Sequence, residues 1–154
     1  MVYLVHEGAH PGKMDPLGPF GTFLFFQEQE HDRSSSTRGT SGTLYAIEVD
    51  DHLICTPRDI VFDYSNDARL QPWIDYVTDR YGIDEGDALD VIGDKPIQHM
   101  LDLEEPGEEG WLQQWVIAEA ARSLGFAGVE VQDELGYSIM LDMEGREDQL
   151  QLLT

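Results

Sequence analysis

The feature that most constrains this chain is a change of hydrophobic period along its length. Apolar residues alternate over Val2–His6 and Thr43–Val49, the dense aromatic run of Thr22–Gln27 suggests a strand buried on both faces, and Gly128–Gln132 and Tyr137–Met143 read as strands near the end. A two-residue period puts successive side chains on opposite faces of an extended chain, so these five segments predict strands. Between residues 65 and 124 the period becomes helical. Leu70, Trp73, Ile74, Val77 and Tyr81 form one stripe, with Ser65 or Asp67 as the expected cap and Gly82 as the stop. Asp84–Ile92 predicts a shorter helix, broken by Gly93-Asp94-Lys95-Pro96. Trp111–Leu124 predicts a third helix, with Val116, Ile117, Ala120, Ala121 and Leu124 on one side and Gly125 at its end. Gly8–Gly21 holds Pro11, Pro16 and Pro19, and Glu28–Gly42 is polar with three consecutive serines, so both predict loops. Strands first, helices in the middle and a strand pair near the end give an α+β fold. With no internal repeat and no linker, residues 1–154 are expected to be a single domain.

The charge narrows the partners. Thirty-one acidic residues against nine basic ones give a net charge of −22 on 154 residues. A surface of carboxylates repels nucleic acid and anionic lipid, because it offers no Lys/Arg cluster that releases counterions. It favours a basic partner, such as a protein face that itself grips DNA or RNA; the plainer alternative is that acidity serves solubility alone. The single cysteine, Cys55, excludes an internal disulfide and suits a reducing compartment, where a buried structural thiol is the expected role. No apolar run approaches the ~18 residues of a membrane span. The opening MVYLVHEGAH lacks the basic start and long apolar stretch of a signal peptide, so the expected location is cytoplasmic.

Three segments carry candidate chemistry. His6-Glu7-Gly8 ends the first strand, where an imidazole can bond a ribose hydroxyl and the following backbone can meet a carboxamide. An ordinary half-exposed histidine would look the same. Gly18–Phe26 places Gly21 ahead of Phe23, Phe25 and Phe26, so that a flat ring system can approach the backbone and stack on Phe25. Core packing explains these rings equally well. Gln132-Asp133-Glu134 ends a strand and enters a turn, where a fixed carboxylate can offset positive charge developing on a sugar. A solvated acidic turn is the simple alternative. The remaining histidines, His10, His31, His52 and His99, lack the spacing of a zinc site, and no metal is expected. No phosphate-binding GxxxxGK[ST], no GxGxxG after a strand and no GxSxG elbow occurs.

In chain order, the three segments resemble the ADP-ribosyltransferase superfold, which reads NAD with a histidine on its first strand, a ring after a glycine-bearing turn and an acidic residue on a later strand. The chain as a whole resembles a narrower family, the phage anti-CRISPR mono-ADP-ribosyltransferases that inactivate the type I-F CRISPR surveillance complex. The likeness lies in FGTFLFF (Phe20 to Phe26), YAIEVDD (Tyr45 to Asp51), AARSLGFAGVEVQDELG (Ala120 to Gly136) and MLDMEG (Met140 to Gly145). It is weakest over Glu28–Gly42.

That resemblance implies an ADP-ribosyltransferase-like fold of small mixed and antiparallel sheets with flanking helices, in the cytosol of a bacterial host. It implies NAD as co-substrate, no metal, and transfer of ADP-ribose to an asparagine on the PAM-reading large subunit of the complex. By the same resemblance His6 orients the nicotinamide-side ribose, the Glu7-Gly8 backbone lies near the carboxamide, and Gly21 and Phe25 make the stacking surface. A phenylalanine stands at 25 where many relatives have tyrosine. Asp133 would hold the ribose and stabilise the oxocarbenium ion, as the family turn is read. Strand parity and the Gln-x-Glu pattern of other transferases favour Glu134 instead. A rival from another class, a non-catalytic acidic mimic of nucleic acid, explains the charge but not the ordered His, Phe and acidic residues. An ADP-ribosylating toxin with another protein target is the third reading.

Overall fold

The computed structural model describes residues 1–7, 21–28, 44–133 and 136–153, with Glu7, Glu28, Asp133 and Gly136 at the level of the backbone. Gly8, Glu134 and most of the two expected loops lie outside the described residues.

The alternating segments fold as β1 (Val2–Glu7), β2 (Phe23–Glu28), β3 (Leu44–Val49), β5 (Gly128–Asp133) and β6 (Gly136–Asp142). Two short strands were not legible from periodicity, β4 (Ile54–Cys55) and β7 (Gln151–Leu153), since two or three residues carry too little pattern. All seven join in the order β4-β5-β6-β2-β1-β3-β7. The ladders are antiparallel except β4 with β5, which is parallel. The expected α+β class holds, although the strands make one curled mixed sheet rather than several small ones. Asp133 and Gly136, expected in a turn, instead close the β5–β6 ladder by pairing with each other.

Four helices follow local signals. Helix α1 (Pro57–Tyr64) was missed because its eight residues are short and polar on average, yet it starts on a full capping box: the Thr56 side chain accepts from the Asp59 N–H, and the Asp59 carboxylate accepts from the Thr56 N–H. Helix α2 (Gln71–Tyr81) begins later than a cap at Ser65 or Asp67 implies, because Asp67 instead accepts the Arg69 N–H at 2.8 Å and closes a separate turn. Gly82, at φ 65°, stops it as expected. Helix α3 (Glu85–Ile92) is capped by Asp84, which accepts from the Asp87 N–H at 2.8 Å. Helix α4 (Pro106–Ser123) starts five residues before Trp111, since Pro106 supplies a ready first turn. Among the described residues no helix is long and apolar enough to cross a membrane.

The helices bury their stripes on one face of the sheet, where Ile60, Leu70, Ile74, Val77, Val91, Ile92, Val116 and Ile117 pack with Phe23, Val129, Val131 and Met140. On the other face Leu4, Phe26, Ile47, Val49, Ile139, Leu141, Met143 and Leu150 form a second cluster inside the curl. Gly128 is where the sheet tolerates no side chain: a Cβ there would sit 2.9 Å from the Met140 carbonyl oxygen. Cys55 is buried, its Sγ 3.7 Å from the Gly128 carbonyl, and burial, aided by Asp59, pushes its thiol up to about 12.

Candidate functional site

The sheet opens between β1 and β2, and this opening organises the candidate site. Strand β1 pairs with β3 along all six residues, from Val2↔Val49 to Glu7↔Leu44. Strand β2 pairs with β6 from Phe23↔Asp142 to Phe26↔Ile139. Between β1 and β2 the pairs among the described residues are Leu4↔Glu28 and Val5↔Gln27, and none follows at His6. Continuing that register would set His6 against Phe26 and Glu7 against Phe25. There a side chain takes over from the backbone: His6 Nδ1 lies 2.9 Å from the Phe25 carbonyl oxygen. A carbonyl only accepts, so Nδ1 carries the proton and Nε2 is the acceptor of the neutral ring. The imidazole is half-buried and tilts against Phe26, with ring centroids 5.5 Å apart.

Strand alternation then separates two of the expected partners. The His6 ring shares a face with Leu4 and Phe26, inside the curl. The Phe25 ring lies on the opposite face, packed against the helix-side core. A ligand that touches both must pass through the opening rather than lie on one face. Glu7 ends β1 against Leu44 of β3. Gly21 sits at φ 58° in the turn entering β2, a left-handed conformation that suits glycine. That turn is anchored to the end of β6: Thr22 Oγ1 donates to Asp142 Oδ1 at 2.6 Å, and the Met143 N–H donates to the Thr22 carbonyl at 2.9 Å. Asp142 is itself 8% exposed and also accepts from the Glu144 N–H at 3.1 Å, so the turn rests on a satisfied buried carboxylate.

Asp133 comes from the far side of the same half-sheet. From β1 to β5 the sheet order runs through β2 and β6, three strand spacings or roughly 14 Å across the strands if flat. The fold therefore brings His6 and Phe25 together at the opening, while Gly21 lies in the turn at the far end of β2 and the end of β5 lies two strands over at the opposite end of the strands from Gly21. Glu134 and Gly8 fall outside the described residues.

Sequence reading missed the buried side chain that holds the turn after α3. Gln113 is 5% exposed inside α4 and makes three bonds: its amide nitrogen donates to the carbonyls of Val91 (3.0 Å) and Lys95 (2.7 Å), and its oxygen accepts from the Ile97 N–H (3.2 Å). The signal was present, since position 113 lies four residues before Ile117 and seven before Ala120 on the buried stripe, where a polar residue needs partners. Beside it, burial pushes the Asp94 carboxyl above the usual carboxylate range.

No family model matches the chain, and no curated protein matches it. Among solved structures it is similar to a crystal structure of an anti-CRISPR protein, with a TM-score of 0.58 and 20% identity, over 97% of this chain and 92% of that one. At that identity the likeness is one of fold, and it extends over nearly all of both chains.

Proposed function

We propose that this chain is an anti-CRISPR protein that works as an NAD-dependent mono-ADP-ribosyltransferase, modifying a protein of a CRISPR surveillance complex, the PAM-reading large subunit of the type I-F complex in the first instance. The observation that carries the anti-CRISPR part is the fold likeness to an anti-CRISPR protein over 97% of the chain. The transferase part rests on the sequence resemblance and is consistent with an opening edged by His6 and Phe25. Its chemistry breaks the bond between nicotinamide and the ribose and joins that ribose carbon to a side-chain amide nitrogen of the target, which loses a proton. In this reading His6 Nε2 accepts from a ribose hydroxyl, Phe25 supplies a stacking face, and Asp133 or Glu134 offsets the positive charge on the ribose as nicotinamide leaves. A carboxylate that acts this way lowers the barrier without adding much to binding.

The charge of −22 supports the choice of target. It steers the domain to a Lys/Arg-rich surface, and such steering weakens as salt shortens the Debye length to ~10 Å or less. The test follows target modification across a salt series, with and without cognate DNA. Modification should slow steeply with salt and with DNA, while NAD hydrolysis alone responds little. Rates that ignore both salt and DNA would remove the nucleic-acid-binding target. The same charge favours a second reading, occupancy of a basic DNA site by a non-catalytic acidic mimic, which inhibits equally well without NAD.

A further inference from the structure

None of the chain's three tryptophans is buried: Trp73 and Trp115 are half-buried and Trp111 is 63% exposed. Helix α4 buries Val116, Ile117, Ala120 and Ala121, so Trp111 and Trp115, four residues apart, share the stripe that looks away from the core. Trp73 and Tyr76 of α2 meet that stripe at its edge. Trp115 packs on Trp73 with ring centroids 5.5 Å apart at 88° and on Tyr76 at 5.9 Å and 68°, while Trp73 and Tyr76 lie 6.0 Å apart. Trp73 is pinned further, its Nε1 donating to Ser123 Oγ at 2.9 Å. Trp73, Tyr76 and Trp115 pack against the helix-side core, which accounts for their inner sides. Trp111 belongs to neither core cluster and extends the row by one helical turn into solvent.

Single exposed rings are ordinary, whereas a row of four on one face marks an interaction surface, and rings already held in place lose little freedom when a partner arrives. Its charge selects the partner. Glu108 precedes Trp111 by three residues and Asp79 follows Tyr76 by three, so each exposed carboxylate sits one helical turn from a ring. The arginines beside the row are already paired, Arg80 with Glu109 at 2.8 Å and Arg122 with Glu119 at 3.1 Å and Glu144 at 3.3 Å. A ring face attracts a guanidinium through its quadrupole, and flanking carboxylates accept the guanidinium N–H groups. The chain itself uses the first of these contacts, with Arg58 over Phe62 at 5.5 Å and Arg80 over Tyr81 at 5.6 Å. Nucleic acid, anionic lipid and a second copy of this chain, at −22, would each bring more negative charge to the same rim.

We propose that the aromatic row on α2 and α4, with Trp111 as its exposed anchor, docks an arginine-rich segment of the partner protein, whose guanidinium groups stack on the rings between Asp79 and Glu108. This narrows the basic partner expected from overall charge to one face, and to arginine in preference to lysine, because a planar guanidinium stacks where a strongly hydrated ammonium does not. That the partner belongs to a CRISPR surveillance complex rests on the function proposed above; the face and the chemistry it recognises do not.

Because every tryptophan of the chain lies in the row, tryptophan emission reports on this face. The test titrates the protein with an arginine-only and a lysine-only peptide of equal length at low salt, following emission and, by calorimetry, affinity. The arginine peptide should change the emission and bind about fivefold more tightly than the lysine peptide. Trp111→Ala should melt as wild type does and bind the arginine peptide about threefold more weakly, whereas Phe62→Ala, which removes an exposed ring from α1, should bind it unchanged. An arginine peptide that binds without moving the emission overturns the inference, and that readout needs no variant. Equal affinity for the two peptides overturns it as well, as does a Trp111→Ala protein that binds like wild type or a Phe62→Ala protein weakened as much. With a type I-F surveillance complex in place of the peptides, Trp111→Ala should again bind about threefold more weakly. A wild-type protein that ignores the complex while the peptide results hold removes that target and leaves the docking surface standing.

Discussion

Replacing Gln113 with leucine keeps the side chain's volume and removes its hydrogen bonds. Three backbone groups then lose their partner: the carbonyls of Val91 and Lys95 and the N–H of Ile97. Each buried group left unsatisfied costs about 1–3 kcal/mol. The Lys95 bond is only half-buried, so water recovers part of its share, and leucine adds apolar burial in a site that is 5% exposed. The net loss should be about 2–4 kcal/mol, which in a domain of this size lowers Tm by roughly 4–16 °C. Calorimetry or a circular-dichroism melt reads it directly, with a urea titration showing a lower midpoint at unchanged m-value. Gln113→Glu gives the sign a second check. Its carboxylate can accept from Ile97 but cannot donate to two carbonyls, so the folded state favours the protonated acid and raises its pKa above the unfolded value. The deficit relative to wild type should therefore shrink as pH falls from 8 to 5. A Gln113→Leu protein melting within about 2 °C of wild type would refute the reasoning, because the three bonds would then not be holding the turn.

Three further outcomes are expected. Gly128→Ala should destabilise the fold by about 1–3 kcal/mol, since its Cβ meets the Met140 carbonyl at 2.9 Å and backbone must move; a urea midpoint equal to wild type would count against the tight β5–β6 register. Cys55, with its thiol pushed up to about 12, should resist an aromatic disulfide reagent at pH 8 and react at once in denaturant; between the unfolded thiol value and 12 the folded state holds the extra proton, so stability attributable to this group falls as pH rises. Phe25→Ala should lower both Tm and NAD affinity, the latter by roughly 1–3 kcal/mol if the ring stacks, while Phe25→Tyr keeps both; a folded Phe25→Ala protein with unchanged affinity by calorimetric titration would leave the ring a packing role alone.

What was legible from sequence followed the strength of the local pattern. The five longer strands were legible, four from alternation and β2 from its dense aromatic run, and α2, α3 and α4 showed stripes with glycine stops at Gly82 and Gly125. Helix α1 was hidden because Phe62 and Asp63 face solvent and only Pro57 and Ile60 are buried, so its evidence was the Thr56–Asp59 capping box rather than periodicity. Strands β4 and β7 exist through tertiary pairing and carry almost no pattern of their own. At the site, His6 and Phe25 could be picked by type and order, but the bond from the imidazole to the Phe25 carbonyl depends on where the β1–β2 ladder stops, which no local signal gives. Nor could the opposite faces of their rings be read without the register. Asp94 looked like part of a helix-breaking turn, and its partial burial depends on how the chain after α3 packs.

The measurement that bears most directly on the account is intact-mass and peptide-mapping analysis of a type I-F surveillance complex after incubation with this protein, with and without NAD. The account predicts a mass increase of one ADP-ribose on the large subunit only when NAD is present, with DNA binding lost in parallel. Replacing the β5-end carboxylate by Asp133→Ala, or by Glu134→Ala if the neighbouring residue holds the role, should abolish the increment while the protein stays folded. DNA binding blocked equally well without NAD, on an unmodified complex, would contradict the account and leave the acidic surface acting by occupancy.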